Sequence, residues 1–214
     1  MSTLQQVVAA FRTAVHAYEI NGSGRGCVAQ RDLLPVSVLA ADNLLAGREH
    51  EHPIRPFICA AGMLKDPDRQ WVVKNLAAST HYQSNNMVDI CAMRGNGDPY
   101  EILLTMESEG WSQNAVDLIR RGAAGNAALW DLYKLLQVPS PCRVFVTRSP
   151  HRHHAALLKA SGDLAAAYAP SVAAGELFAV QIPTASLRRS PALFAHWPAG
   201  AWAAQPSAMP VHLV

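Results

Sequence analysis

The chain has 214 residues, of which 50% are hydrophobic and 16% charged, and its formal net charge is +2. This composition supplies enough apolar surface for one packed domain and excludes an intrinsically disordered chain. The near-neutral balance neither requires nor excludes a polyanionic partner, so any basic surface must be local.

Residues 2–19, STLQQVVAAFRTAVHAYE, set Leu4, Val8, Phe11, Val15 and Tyr18 at three-to-four spacing, which predicts an amphipathic helix. Ser2 with Gln5 fits a capping box, and the glycines of INGSGRG stop the helix. DLLPVSVLAADNLLAG reads equally as strand or short helix, and REHEHPIRP, with its two prolines, as a loop. Four short apolar runs follow: FICAAGML, QWVVKNLAA, MVDICAM and YEILLTMES. Turn chemistry separates them, KDPDRQ first and RGNGDP last, so they read as an antiparallel meander.

After Trp111 the period becomes helical, weakly in SQNAVDLIRRGAAG and strongly in NAALWDLYKLLQV. The second segment directs Leu129, Leu132, Tyr133, Leu136 and Val138 inward, with Trp130 in the core, and ends at Pro139 and Pro141. CRVFVTR is an apolar strand suited to burial on both faces. HHAALLKASGDLAAAYA is a helix interrupted near Gly162, ELFAVQIP a strand, and roughly the last thirty residues are irregular but rich in Pro, Ala and Trp. The expectation is a single domain over residues 1–214, its core approximately 1–148, of α/β (α+β) class around one mixed sheet.

Cys27, Cys59, Cys91 and Cys142 form no CxxC pair, which argues against a disulfide framework or a zinc knuckle. No basic leader and no long apolar run stands out, so a cytoplasmic protein without a membrane partner is expected.

The chemistry centres on YEILLTMESEGW. Residues two apart on a strand share a face, so Leu103, Thr105, Glu107 and Glu109 line one side, and Ile102, Leu104, Met106 and Ser108 the other. Two neighbouring carboxylates repel unless they are solvated, protonated or bridged by a cation. Folding the chain back about residue 97 brings Asp89 diagonally near Glu107, at roughly 7–8 Å between Cα atoms. The three carboxylates are therefore either a solvated strand end or a divalent-metal site.

A helix, then strands, Asp89 on one strand, Glu107 and Glu109 in MESEG on the next, then NAALWDLYKLLQV and CRVFVTR: this order resembles the PD-(D/E)xK nuclease superfamily. The resemblance covers roughly residues 1–148 and implies a restriction-endonuclease-like mixed sheet flanked by helices. It implies Mg²⁺ or Mn²⁺ held by Asp89 and Glu107 with the backbone carbonyl of Ser108, and hydrolysis of DNA phosphodiester bonds. Glu109 stands where the family usually has Lys and would position water, while Lys134 on the following helix would replace the missing cation. The alternative is a non-catalytic binding or assembly protein on the same scaffold, with its apolar C-terminal segment as an interface. The expected partners are accordingly DNA or a second copy of the chain.

Other clusters are weaker. In HRHH, His151 and His154 could share a helical face as a metal pair, or join Arg148 and Arg152 on a phosphate. HEH at His50–His52 reads as solvent-exposed. No Walker loop, GxGxxG or GxSxG occurs in the required context, which removes dinucleotide enzymes and nucleophile-elbow serine hydrolases.

Overall fold

The computed structural model describes residues 2–21, 26–46, 57–60, 72, 76, 79–82, 88–95, 101–110, 129–169 and 175–214. Helix α1 spans Leu4–Asn21 and buries Val7, Val8, Phe11, Val15 and Tyr18 along one stripe. Its capping box lies one residue later than the sequence pattern suggests. The Gln6 amide donates to Thr3 Oγ1 (3.2 Å), and the Thr3 amide donates to Gln6 Oε1 (2.7 Å). The ambiguous run is a helix, α2 (Leu33–Ala46), with Pro35 tolerated in its first turn.

Among the described residues, eight strands form one mixed sheet: β1 (Phe57–Ala60), β2 (Ser79–Tyr82), β3 (Ile90–Arg94), β4 (Glu101–Gly110), β5 (Cys142–Ser149), β6 (Glu176–Pro183), β7 (Ala192–Trp197) and β8 (Ser207–Val211). Their spatial order is β2-β1-β3-β4-β5-β6-β7-β8. The class is therefore α/β with a mixed sheet. β1, β3 and β4 form an antiparallel meander, while β4, β5 and β6 run parallel.

Three expectations are corrected. Ser79–Tyr82 forms β2, which runs parallel to β1 where an antiparallel meander is expected, and most of QWVVKNLAA lies outside the described residues. The C-terminal segment is not irregular, because β7 and β8 extend the sheet antiparallel. Short strands punctuated by Pro191, Pro198 and Pro210 carry little periodic signal, and Pro210 is tolerated on an edge strand. The helix through Gly162 is continuous from His154 to Tyr168. REHEHPIRP and SQNAVDLIRRGAAG lie outside the described residues.

The connection β4 to β5 runs through α3 (Trp130–Gln137), and β5 to β6 through α4 (His154–Tyr168). Because the sheet advances in one direction across these strands, right-handed crossovers place both helices on the same face. α1 and α2 cover the opposite face, where Phe11, Val36, Leu39, Met106, Val144 and Phe178 share a core. Leu132, Leu136, Phe145, Leu157, Leu177 and Trp197 form the core beneath α3 and α4. β5 and β6 are buried on both faces, as their unbroken apolar runs require.

Arg143, fully buried on β5, fixes the C-terminal end of α3. Its Nε and Nη2 donate to the Val138 carbonyl (3.1 and 2.8 Å), and Nη1 donates to the Ser140 carbonyl (2.6 Å). Carbonyls past a helix C-terminus have no intrahelical donor and carry partial negative charge, so a guanidinium satisfies them well. The Trp202 ring covers the same guanidinium at 5.2 Å. A Cβ on Gly175 would stand 2.5 Å from Arg143 Nη1 and closer still to the Ser140 carbonyl oxygen. Gly175→Ala is therefore expected to cost about 1–3 kcal/mol in urea denaturation, and unchanged stability would contradict this packing.

Candidate active site

β4 carries the site, and a bulge in its pairing with β3 sets the aim. Ala92 pairs with Leu104 but Met93 pairs with Ile102, so Leu103 is the extra residue. The bulge puts Ile102 on the α3 side with Thr105, Glu107 and Glu109, and leaves Leu104, Met106 and Ser108 facing α2. Strict alternation therefore holds from Leu104 onward and fails at Leu103. The bulge also corrects the register: continuing the Ile90–Met106 pairing by one residue sets Asp89 directly opposite Glu107 rather than diagonal to it.

Asp89 lies one residue before β3, just past the end of its register with β4. The Ser108 N–H donates to Asp89 Oδ2 (3.0 Å), and Asp89 is also hydrogen-bonded to the Glu107 carboxyl. On the α2 side, the Ser108 and Ser37 hydroxyls lie 3.1 Å apart, holding this end of β4 to α2.

Glu107 is only 1% exposed. Lys134 Nζ, from α3, lies 2.9 Å from Glu107 Oε1 and 2.7 Å from Asp131 Oδ1. The Lys134 ammonium is thus hydrogen-bonded to the buried Glu107 carboxyl and paired with Asp131. Glu109 is hydrogen-bonded to Asp131. The structure thus gathers all four expected residues, Asp89, Glu107, Glu109 and Lys134, and adds Asp131. Asp131 was legible only as the residue three before Lys134 on a helix, a spacing that puts the two on one face.

The electrostatics follow from burial. Desolvation, reinforced by the Asp89 charge, pushes the Glu107 carboxyl up to about 9 despite the Lys134 ammonium. Burial also raises Asp89, against the opposing pull of the Ser108 amide, the Glu107 hydrogen bond and Lys134. Glu109 is raised to about 7, by burial first and then by its hydrogen bond and charge contact with Asp131. Burial alone would lower Lys134, but Asp131 and Glu107 outweigh it and hold the ammonium charged. At neutral pH, Glu107 keeps a proton and shares it with Asp89, since two carboxyls can hydrogen-bond only through one.

Among the described residues, no group of three or more His, Cys, Asp or Glu side chains is arranged to hold a metal ion. Two carboxylates completed by waters nonetheless match the usual Mg²⁺ requirement, and Asp89 and Glu107 meet across β3 and β4. Thr105 Oγ1 and Thr147 Oγ1, on the same face of β4 and β5, are buried without hydrogen bonds.

The other clusters are structural. His151 and His154 rings lie 5.1 Å apart, and His154 Nε2 donates to the Ser149 carbonyl (3.3 Å). Burial pushes His154 down to about 4, so it stays neutral. Arg148 faces the α2 side and donates to the Val28 carbonyl, away from those rings. His50 and His52 lie outside the described residues. Among the described residues, Cys27, Cys91 and Cys142 form no disulfide. Among the described residues, no helix is long and apolar enough to cross a membrane. A scan against protein-family models found no match, and neither the curated proteins nor the solved structures gave one.

A carboxyl whose folded-state pKa exceeds its unfolded value stabilises fully below the unfolded value and loses that contribution as pH rises through the folded one. For Glu107 the window runs from about 4.5 to about 9. Glu107→Gln keeps the shape of the protonated acid without titrating. Its stability relative to wild type is expected to improve across this window, by at most about 1.4 kcal/mol per pH unit in chemical denaturation. A pH-independent difference would contradict the assignment.

Proposed function

We propose that this chain is a metal-dependent nuclease that hydrolyses DNA phosphodiester bonds at the Asp89–Glu107 site. The observation that carries the reading is the meeting of Asp89 and Glu107 across the β3–β4 pair, with Glu109 and Lys134 beside them. Support also comes from the element order: helices, a meander, a carboxylate just before one strand and another on the adjoining strand, a helix and an apolar strand. This is the order in which the PD-(D/E)xK resemblance sets its elements, with Lys134 offered from the helix in place of the strand lysine.

Asp89 and Glu107 would hold Mg²⁺ or Mn²⁺, together with the Ser108 carbonyl. When bound, the ion supplies Lewis-acid polarisation of a phosphate oxygen and a more acidic water. Glu109, at about 7, is poised to accept a proton from that water at neutral pH. Asp131 orients Glu109 by hydrogen bond and fixes the Lys134 ammonium by ion pair. Lys134, charged throughout, offsets negative charge developing on the phosphate. Cysteines without a disulfide among the described residues fit a reducing compartment, and such a nuclease would work in the cytoplasm.

One observation favours the second reading, a non-catalytic binding or assembly protein, with DNA or a second copy as partner. Lys134 already serves Glu107 as a counterion, as a purely structural pair would.

The test is cleavage of single-stranded and duplex DNA in Mg²⁺ or Mn²⁺. Wild type is expected to cut. Asp89→Asn and Glu107→Gln are expected to abolish cleavage, and Lys134→Met to slow it by about 10²–10³-fold. A wild-type chain inert towards both DNA forms with both ions would overturn the nuclease reading in favour of the second.

A further inference from the structure

Trp130 opens α3 and is 57% exposed, although the helical pattern places it in the core. The core side of the helix is filled instead by Leu132, Leu135 and Leu136. Among the described residues, the other exposed large apolar side chains are Ile20, near the end of α1, and Val214, beyond β8. Trp130 is the one that adjoins the carboxylate site.

The indole is held in place. Tyr133 stacks on it at 5.0 Å between ring centroids with an interplanar angle of 24°. Tyr168, at the end of α4, meets Tyr133 edge-on at 5.3 Å and 73°. One face of the indole is thus supported by a braced ring, and its exposure belongs to the rest of the side chain. A solvent-facing tryptophan kept rigid in this way has already lost the rotamer freedom that binding would otherwise cost.

Its position relative to the site is also fixed. Asp131 is the next residue, and Lys134 lies one turn on, where Cβ atoms of residues four apart are about 5–6 Å from each other. Lys134 Nζ reaches Glu107. A base stacked on Trp130 would therefore carry its own backbone phosphate to the ammonium. A base inside a duplex has both faces covered by its neighbours and cannot stack in this way.

The charge around the site points to the same partner. Asp89, Glu107, Glu109 and Asp131 surround Lys134, and the whole chain carries only +2. Phosphate attraction at this point is weak, whereas stacking on an aromatic face is insensitive to acidic neighbours and tolerant of base identity.

We infer that Trp130, braced by Tyr133 and Tyr168, is a stacking platform for an unpaired base next to the scissile phosphate. The preferred substrate class is then single-stranded DNA or a frayed end, not an intact duplex. This inference rests on the nuclease reading for its substrate but not for its binding measurement.

The experiment measures anisotropy of a fluorescein-labelled oligothymidylate and of a blunt hairpin duplex, with light scattering of each variant. Trp130→Ala is expected to weaken single-strand binding by about 5- to 100-fold and to leave the blunt duplex nearly unchanged. Trp130→Phe is expected to retain most of the affinity, which separates stacking from a folding defect. Equal losses on both probes, or no loss on either, would overturn the platform. So would a change of oligomeric state without a change in single-strand affinity, which would make this face a contact between copies. A chain that cuts no DNA but needs Trp130 for single strands retains the platform and loses the nuclease reading. A chain whose cleavage needs Glu107, but which binds single strands equally well as Trp130→Ala, does the reverse.

Discussion

A carboxyl group taken almost wholly out of water sets the terms for everything around it. Glu107 lies within an eight-stranded sheet, one residue from apolar Met106 and directly opposite Asp89. An isolated buried carboxylate costs far more than a fold of this size can spare, so it must be neutralised by a proton, an ammonium or a metal ion. The protein provides the first two, a proton shared with Asp89 and the Lys134 ammonium. On the same face, Thr105 Oγ1 and Thr147 Oγ1 stay buried without hydrogen bonds. A site built only for stability would be expected to satisfy those hydroxyls.

The fold around it holds this arrangement through features remote from the chemistry. The Leu103 bulge turns the far half of β4 so that Thr105, Glu107 and Glu109 face α3. Parallel strands β4, β5 and β6 place α3 and α4 on that same side, which brings Lys134 and Asp131 over the carboxylates. The buried Arg143 fixes the end of α3 against β5. Ser108, on the opposite side of the strand, is tied to Ser37 of α2. Moving α3 by a fraction of a turn would separate Lys134 from Glu107 and expose the cost of its burial.

Much of this could be read from residue order because it depends on local periodicity. The apolar alternation of YEILLTMESE, the helical spacing of Leu132 and Leu136, and the turn residues between Asp89 and Glu107 each state their own geometry. What could not be read depends on distant partners. The bulge at Leu103 has no glycine or proline to announce it, and it moved Asp89 from a diagonal to a directly opposed position. Trp130 satisfies a helical pattern, but Leu135 takes the inward direction, so the indole is left outside. β7 and β8 are too short and too interrupted by proline to show periodicity, and they form by pairing outward from β6. Asp131 became a site residue only once α3 had a known rotation about its axis.

If a divalent cation belongs between Asp89 and Glu107, it must displace the proton they share. The most direct measurement is calorimetric titration of Mn²⁺ near neutral pH, in buffers of differing ionisation enthalpy, on wild type and Glu107→Gln. The account predicts saturable binding by wild type with release of about one proton per ion, and loss of both in the variant. Binding without proton release, binding that survives Glu107→Gln unchanged, or no binding by wild type would contradict it.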